Sequence, residues 1–180
     1  VGGNIGVPAL SLLADAEPDV YVLELSSFQL ETTASLNARA STVLNITPDH
    51  MDRYRDIDEY AEAKARIFRG NGTMVLNTED PLVMRMREPG RRMVGFGLGR
   101  PLAAQDYGLE EIHGETWLMH GKQALMKAAE VPLAGRHNLA NVLAALALAE
   151  AAGVAPEAAC AAVRAFKGLE HRTELVAEHQ

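Results

Sequence analysis

Along the first half of the chain, short apolar runs alternate with amphipathic stretches. VYVLEL (20–25), TVLNI (42–46) and TMVL (73–76) have the length and branched content of mostly buried strands. Between them, apolar residues recur at helical spacing, which predicts helices over 28–37 and 58–69, preceded by a short one over 8–14. Strands and helices taken in turn imply a parallel sheet covered by helices. From 93 to 133 the pattern shifts to short β-rich pieces punctuated by glycine, which we read as an antiparallel addition. Within ETWLMHGKQAL, Gly121-Lys122 can turn a hairpin. Two helices follow, over 138–152 and 156–166, the first closed by Gly153. The expected fold is α/β: a three-layer, Rossmann-like, mostly parallel sheet with helices on both faces and a small antiparallel β addition. GLEHRTELV reads as a junction, so we expect one domain over 1–168 and the start of another over 169–180.

Open parallel sheets receive ligands beyond the carboxyl ends of their strands, so the polar residues there carry the chemical interest. Ser26 and Ser27 follow the first strand; Thr47, Asp49, His50, Asp52 and Arg53 follow the second, and both sets should meet at one edge. Glu24 lies within the first apolar run, where a carboxylate is costly without a partner or a metal. In the helix after Asp56, Lys64 falls in the stripe Ile57, Tyr60, Ala61, Ile67 and Phe68. A lysine so placed either snorkels to solvent, pairs with a carboxylate, or serves as a neutral amine that can capture carbon dioxide or act as a base. Asp56 or Asp58 caps this helix, with Glu59 placed for a capping box. His50 between two aspartates suits a surface loop as well as a metal site. GGNIGVP can make a turn or approach an anion. Asn138 and Asn141, three apart, either cap their helix or offer amides to a ring such as adenine. Arg172, next to acids, is on its own a surface ion pair. Ser26 and Ser27 lack the G-x-S-x-G elbow, which removes a serine hydrolase from consideration.

Composition narrows the classes. The chain has 180 residues, 48% hydrophobic and 23% charged, which supports one real core. A net charge of -7 leaves no basic footprint for nucleic acid. No apolar stretch reaches the roughly 20 residues of a membrane span. The single cysteine, Cys160, excludes an internal disulfide framework and reads as a buried structural thiol in a reducing compartment. With Val1 first and GGNIG directly after it, we expect a piece of a longer protein.

LELSSFQLE (23–31), NITPDHMDRY (45–54), EYAEAKARIF (59–68), HNLAN (137–141) and HRTE (171–174), in this order, resemble the Mur ligases, the cytoplasmic ligases of peptidoglycan synthesis. The resemblance covers essentially the whole chain and implies the central ATP-binding domain, of P-loop-NTPase type. It implies an ATP-dependent amide ligase: a substrate carboxylate attacks the γ-phosphate of ATP, and an amino acid's amine captures the acyl phosphate. SSFQLE favours the member whose partners are UDP-N-acetylmuramoyl-L-alanine and D-glutamate. By the same resemblance Glu24 binds one of two magnesium ions. His50 binds the other together with Lys64, carbamylated, so these three are the catalytic and metal candidates. Asn4 and Ser26 would contact substrate, with His50 close to the reacting carboxylate. Asn138, Asn141 and Arg172 would contact ATP, and a cytoplasmic monomer is expected. One departure stands out: no G-x-x-x-x-G-K-[ST] occurs anywhere. In the family this phosphate cradle lies upstream of the GGNIG position, so the chain is expected to be inactive alone. The alternatives are a sister Mur ligase, a folylpolyglutamate synthetase-like ligase, or a non-catalytic nucleotide-binding module.

Overall fold

The computed structural model describes residues 1–13 and 17–168. Arg172 and the whole of 169–180 lie outside the described residues.

A six-stranded sheet forms the centre, in the order β3 (Ala40–Val43), β4 (Thr73–Asn77), β5 (Met93–Phe96), β6 (Tyr107–Ile112), β7 (Glu115–His120) and β8 (Gln123–Lys127). Pairing is parallel from β3 to β6 and antiparallel from β6 to β8, so the antiparallel addition expected from 93 begins only after β6: β5 continues the parallel sheet and pairs parallel with β6 through Phe96 and Tyr107. The expected hairpin turns at Gly121-Lys122, where Gly121 has φ 53, a left-handed value that glycine adopts without Cβ strain.

Alternation along the central strands sets the layers. On β4, Val75 faces one core with Val94, Phe96, Leu118 and Leu143, while Met74 and Leu76 face a second with Val43, Tyr60, Phe68 and Val83. The first core lies under α4 (Arg136–Ala151) and α5 (Pro156–Ala165); the second lies under α2 (Ile57–Ala65) and α3 (Pro81–Arg85). The three-layer α/β architecture follows directly from this two-sided burial. Cys160 is buried in the first core, where desolvation pushes its thiol above the ordinary value, as suits a structural cysteine. No helix among the described residues is long and apolar enough to cross a membrane.

Several boundaries differ from the sequence pattern. The strand expected over 20–25 is reduced to β2 (Leu23–Glu24), paired only with β1 (Gly2–Gly3) in a separate two-stranded parallel sheet. Val20, Tyr21, Val22 and Leu23 are exposed, and so is Glu24. An apolar run of this kind predicts a mostly buried strand, but no described layer packs over it, so Glu24 is not the buried carboxylate that the pattern implies. The 8–14 helix is a 3-10 helix, Ala9–Leu13. The 28–37 helix is α1 (Ser27–Thr32), because the hydroxyls of Thr32 and Thr33 donate to the Gln29 carbonyl and Thr33 turns extended. The second strand stops at Val43 rather than 46. Beyond it side chains take over the backbone: Asn77 Nδ2 donates to the Leu44 carbonyl and the Ile46 N–H donates to Asp80. The 58–69 helix is α2 followed by a 3-10 turn, Arg66–Phe68.

Candidate functional site

Ser26 begins the site as the N-cap of α1. Its Oγ accepts the Gln29 N–H, and Gln29 Oε1 accepts the Ser26 N–H at 2.9 Å, completing a capping box. Two residues upstream, Glu24 accepts the Asn4 N–H on its backbone carbonyl at 2.7 Å, so Asn4 and Glu24 are neighbours through β1 and β2.

His50 is exposed and has φ 55, an uncommon conformation for a residue with a Cβ. Its carbonyl accepts the N–H groups of Arg53 and Tyr54 at 2.9 and 3.2 Å, and its Nε2 lies 3.5 Å from Asp49 Oδ2. The ring sits 4.8 Å from Phe28 of α1 and 6.4 Å from Tyr60 of α2. The segment after the first expected strand thus comes beside His50 through Phe28, although β2 and β3 lie in separate sheets and not along one edge. Lys64 is half-buried one turn beyond Tyr60, with Nζ 5.1 Å from the centre of that ring. A cation over an aromatic face is attracted by the ring quadrupole.

Asp56 caps α2 by accepting the Glu59 N–H, yet the reciprocal half of the expected box is diverted: Glu59 accepts the N–H of Arg55, at 2.7 Å. The Arg55 backbone and guanidinium together hold the Glu59 carboxyl below its ordinary range.

Asn138 and Asn141 occupy the first and second turns of α4, on the opposite face of the sheet from α2. Neither caps the helix: the N-cap is Gly135, at φ 98. Asn138 is buried and its Nδ2 donates to the Ala134 carbonyl at 2.7 Å, whereas Asn141 is exposed.

The Asp49 carboxylate lies against the His50 ring, and Lys64 shares with His50 only the Tyr60 ring that both approach. Among the described residues, no three His, Cys, Asp or Glu side chains gather closely enough to hold a metal ion. Magnesium favours oxygen ligands, and an ammonium offers none. Glu24, His50 and Lys64 fit that ion only if the Lys64 amine carries carbamate oxygens, for which its half-buried position over Tyr60 leaves it without a carboxylate partner among the described residues.

Sequence reasoning missed Asp80. One carboxylate oxygen accepts the Ile46 N–H at 2.7 Å while the other accepts the N–H groups of Leu82 and Val83, so Asp80 caps α3 and anchors the segment leading to His50. The signal was present in Asp80-Pro81, a cap followed by proline at the first helical position. Asp80→Ala is expected to lower stability by about 1–2 kcal/mol in urea unfolding, since it strips three N–H groups of their acceptor. A change under about 0.3 kcal/mol would contradict this anchoring role.

The Mur ligase middle domain profile matches residues 2–149. Among curated proteins, the chain is 58% identical to a protein of Nitrosococcus oceani named UDP-N-acetylmuramoylalanine–D-glutamate ligase, over 98% of this chain and 39% of that one. It is 54% identical to a Methylococcus capsulatus protein of the same name, over 99% of this chain and 38% of the relative. Among solved structures it resembles UDP-N-acetylmuramoylalanyl-D-glutamyl-2,6-diaminopimelate–D-alanyl-D-alanyl ligase from Acinetobacter baumannii. That match has a TM-score of 0.56 and 25% identity, and covers 73% of this chain and 29% of that one. The chain spans about two-fifths of the length of the curated relatives it matches. With a three-layer sheet of the same kind and a profile match over most of its length, the chain belongs to the Mur ligase family, as its middle domain.

Proposed function

We propose that this chain is the ATP-binding middle domain of a cytoplasmic ligase that joins D-glutamate to UDP-N-acetylmuramoyl-L-alanine. The observation that carries the reading is 58% identity over 98% of the chain to a relative named for that reaction. Because the matched relatives are longer, the activity is proposed for a protein of their length.

In this reading Asn4, Ser26 and His50 orient the muramoyl-alanine carboxylate towards the γ-phosphate of ATP. The carboxylate oxygen bonds to phosphorus, ADP leaves, and the amine of D-glutamate then displaces phosphate from the acyl carbon to form the amide. Positioning and charge compensation supply the rate, without a covalent bond to the protein. Asn138, Asn141 and Arg172 hold the nucleotide. Lys64 Nζ, as a neutral amine, bonds to the carbon of CO2 and releases a proton, which turns a cation into a carbamate anion. Glu24, His50 and that carbamate would hold two magnesium ions, which when bound neutralise phosphate charge. The protein acts as a monomer.

The test is ADP formation by the full-length protein with UDP-N-acetylmuramoyl-L-alanine, magnesium and each candidate amino acid in turn. ADP release that requires D-glutamate supports the reading. Release with a different amino acid transfers the assignment to a sister ligase, and no release with any overturns it.

A further inference from the structure

We propose that Glu31 is a positioning residue of this site: through Arg53 and Tyr54 it holds the segment bearing His50 against α1 and α2. Glu31 lies in the last turn of α1, and its side chain and backbone together tie α1 to the 53–54 stretch and to the end of α2. Its Oε1 accepts the Tyr54 hydroxyl at 2.6 Å, and its carboxylate also accepts the Arg53 guanidinium from both Nε and Nη2. Its backbone carbonyl accepts Arg66 Nη1 at 2.8 Å, just beyond the end of α2.

The same two residues reach His50 by a second route. The N–H groups of Arg53 and Tyr54 both donate to the His50 carbonyl, closing the turn that carries His50 at its left-handed φ. Side-chain anchoring of Arg53 and Tyr54 on Glu31 thus bears on a backbone turn that no glycine relaxes. Packing runs the same way. The Arg53 guanidinium lies 4.9 Å over Phe28, whose ring is beside His50, and buried Tyr54 packs 5.2 Å from Tyr60, the ring that Lys64 faces. Bonds from Arg53 and Tyr54 keep the Glu31 carboxyl below its ordinary range, so it is an ionised acceptor at neutral pH. Without Glu31, the Arg53 cation loses its counter-charge and Tyr54 its acceptor, and the His50 turn loses its outer support.

Only the kinetic arm of the test rests on the ligase reading. In the full-length protein, Glu31→Ala and Glu31→Gln are compared by the NMR shift of the His50 ring, which feels the Phe28 ring current, and by kcat and the KM for ATP. Glu31→Ala is expected to move the His50 signal towards its solvent value and lower kcat about 10-fold or more, while the KM for ATP changes less than about twofold. Glu31→Gln keeps an acceptor for Tyr54 and restores part of both. An unmoved His50 signal with unchanged kcat overturns the proposal. So does a parallel fall of kcat, ATP binding and melting temperature that glutamine does not relieve, because that marks general unfolding. If the wild-type protein shows no ligation, the function reading fails by itself, and the His50 shift still decides whether Glu31 positions the turn.

Discussion

Lys64→Ala in the full-length protein is expected to cut D-glutamate-dependent ADP formation by about 10²-fold or more, with the melting temperature nearly unchanged. The side chain is half-buried, so removing it leaves no large cavity, and its one aromatic contact contributes only about 0.5–1 kcal/mol to stability. The catalytic loss comes from the anion that the proposed carbamate would supply. Lys64→Arg separates that role from a simple cation: guanidinium keeps the positive charge but cannot be deprotonated to take up CO2. A carbamate role predicts that arginine is as inactive as alanine. Arginine retaining most of the wild-type rate would show that the charge of Lys64 is positive in function and would remove the carbamate from the reading. The measurement is steady-state ADP release at saturating substrates, with and without added bicarbonate.

Lys64 was legible in the sequence because a helix displays its faces in a 3.6-residue rhythm: a charged residue among Ile57, Tyr60, Ala61 and Phe68 breaks the stripe visibly. The parallel pairing of β3 with β4 was legible for a similar reason, since an amphipathic helix lies between two short apolar runs. β5 pairs parallel to β4 although the pieces from 93 onward are expected to be antiparallel, because no helical rhythm follows β5 to mark a crossover. Burial was misjudged where it depends on partners. Val20 to Leu23 have strand-like composition, yet they are exposed, because a sequence pattern states that a segment can be buried and not what covers it. Boundaries failed where side chains intervene, as at Thr32 and Thr33 ending α1, or Asn77 and Asp80 claiming the backbone after β3. The Glu31 contacts with Arg53 and Tyr54 span 22 and 23 residues, a separation over which no periodicity operates. The motifs therefore marked where chemistry could reside, while the residues that orient them emerge only once the chain is folded.

Phe96→Ala is expected to cost about 3–5 kcal/mol, a fifth or more of the roughly 5–15 kcal/mol that holds a typical domain together. Phe96 is 1% exposed and ends β5, paired with Asn77 of β4 on one side and Tyr107 of β6 on the other. Its ring belongs to the core beneath α4, with Val94, Val142 and Leu143, so truncation opens a void in the centre of the sheet instead of at its rim. Its carbonyl also accepts the N–H and hydroxyl of Thr78, at 2.8 and 3.1 Å, so strain relaxing into the void would disturb the turn after β4. Phe96→Leu keeps most of the apolar volume and should cost less than half as much. Urea unfolding checks both: the midpoint falls while the slope stays constant if the loss is one of native packing. A cost below about 1 kcal/mol for alanine would mean that α4 and β5 collapse freely onto each other. The first two turns of α4 carry Asn138 and Asn141, the nucleotide contacts proposed above, so under that proposal a weakened core should also reduce ATP affinity in the full-length protein, and Leu at position 96 should restore it.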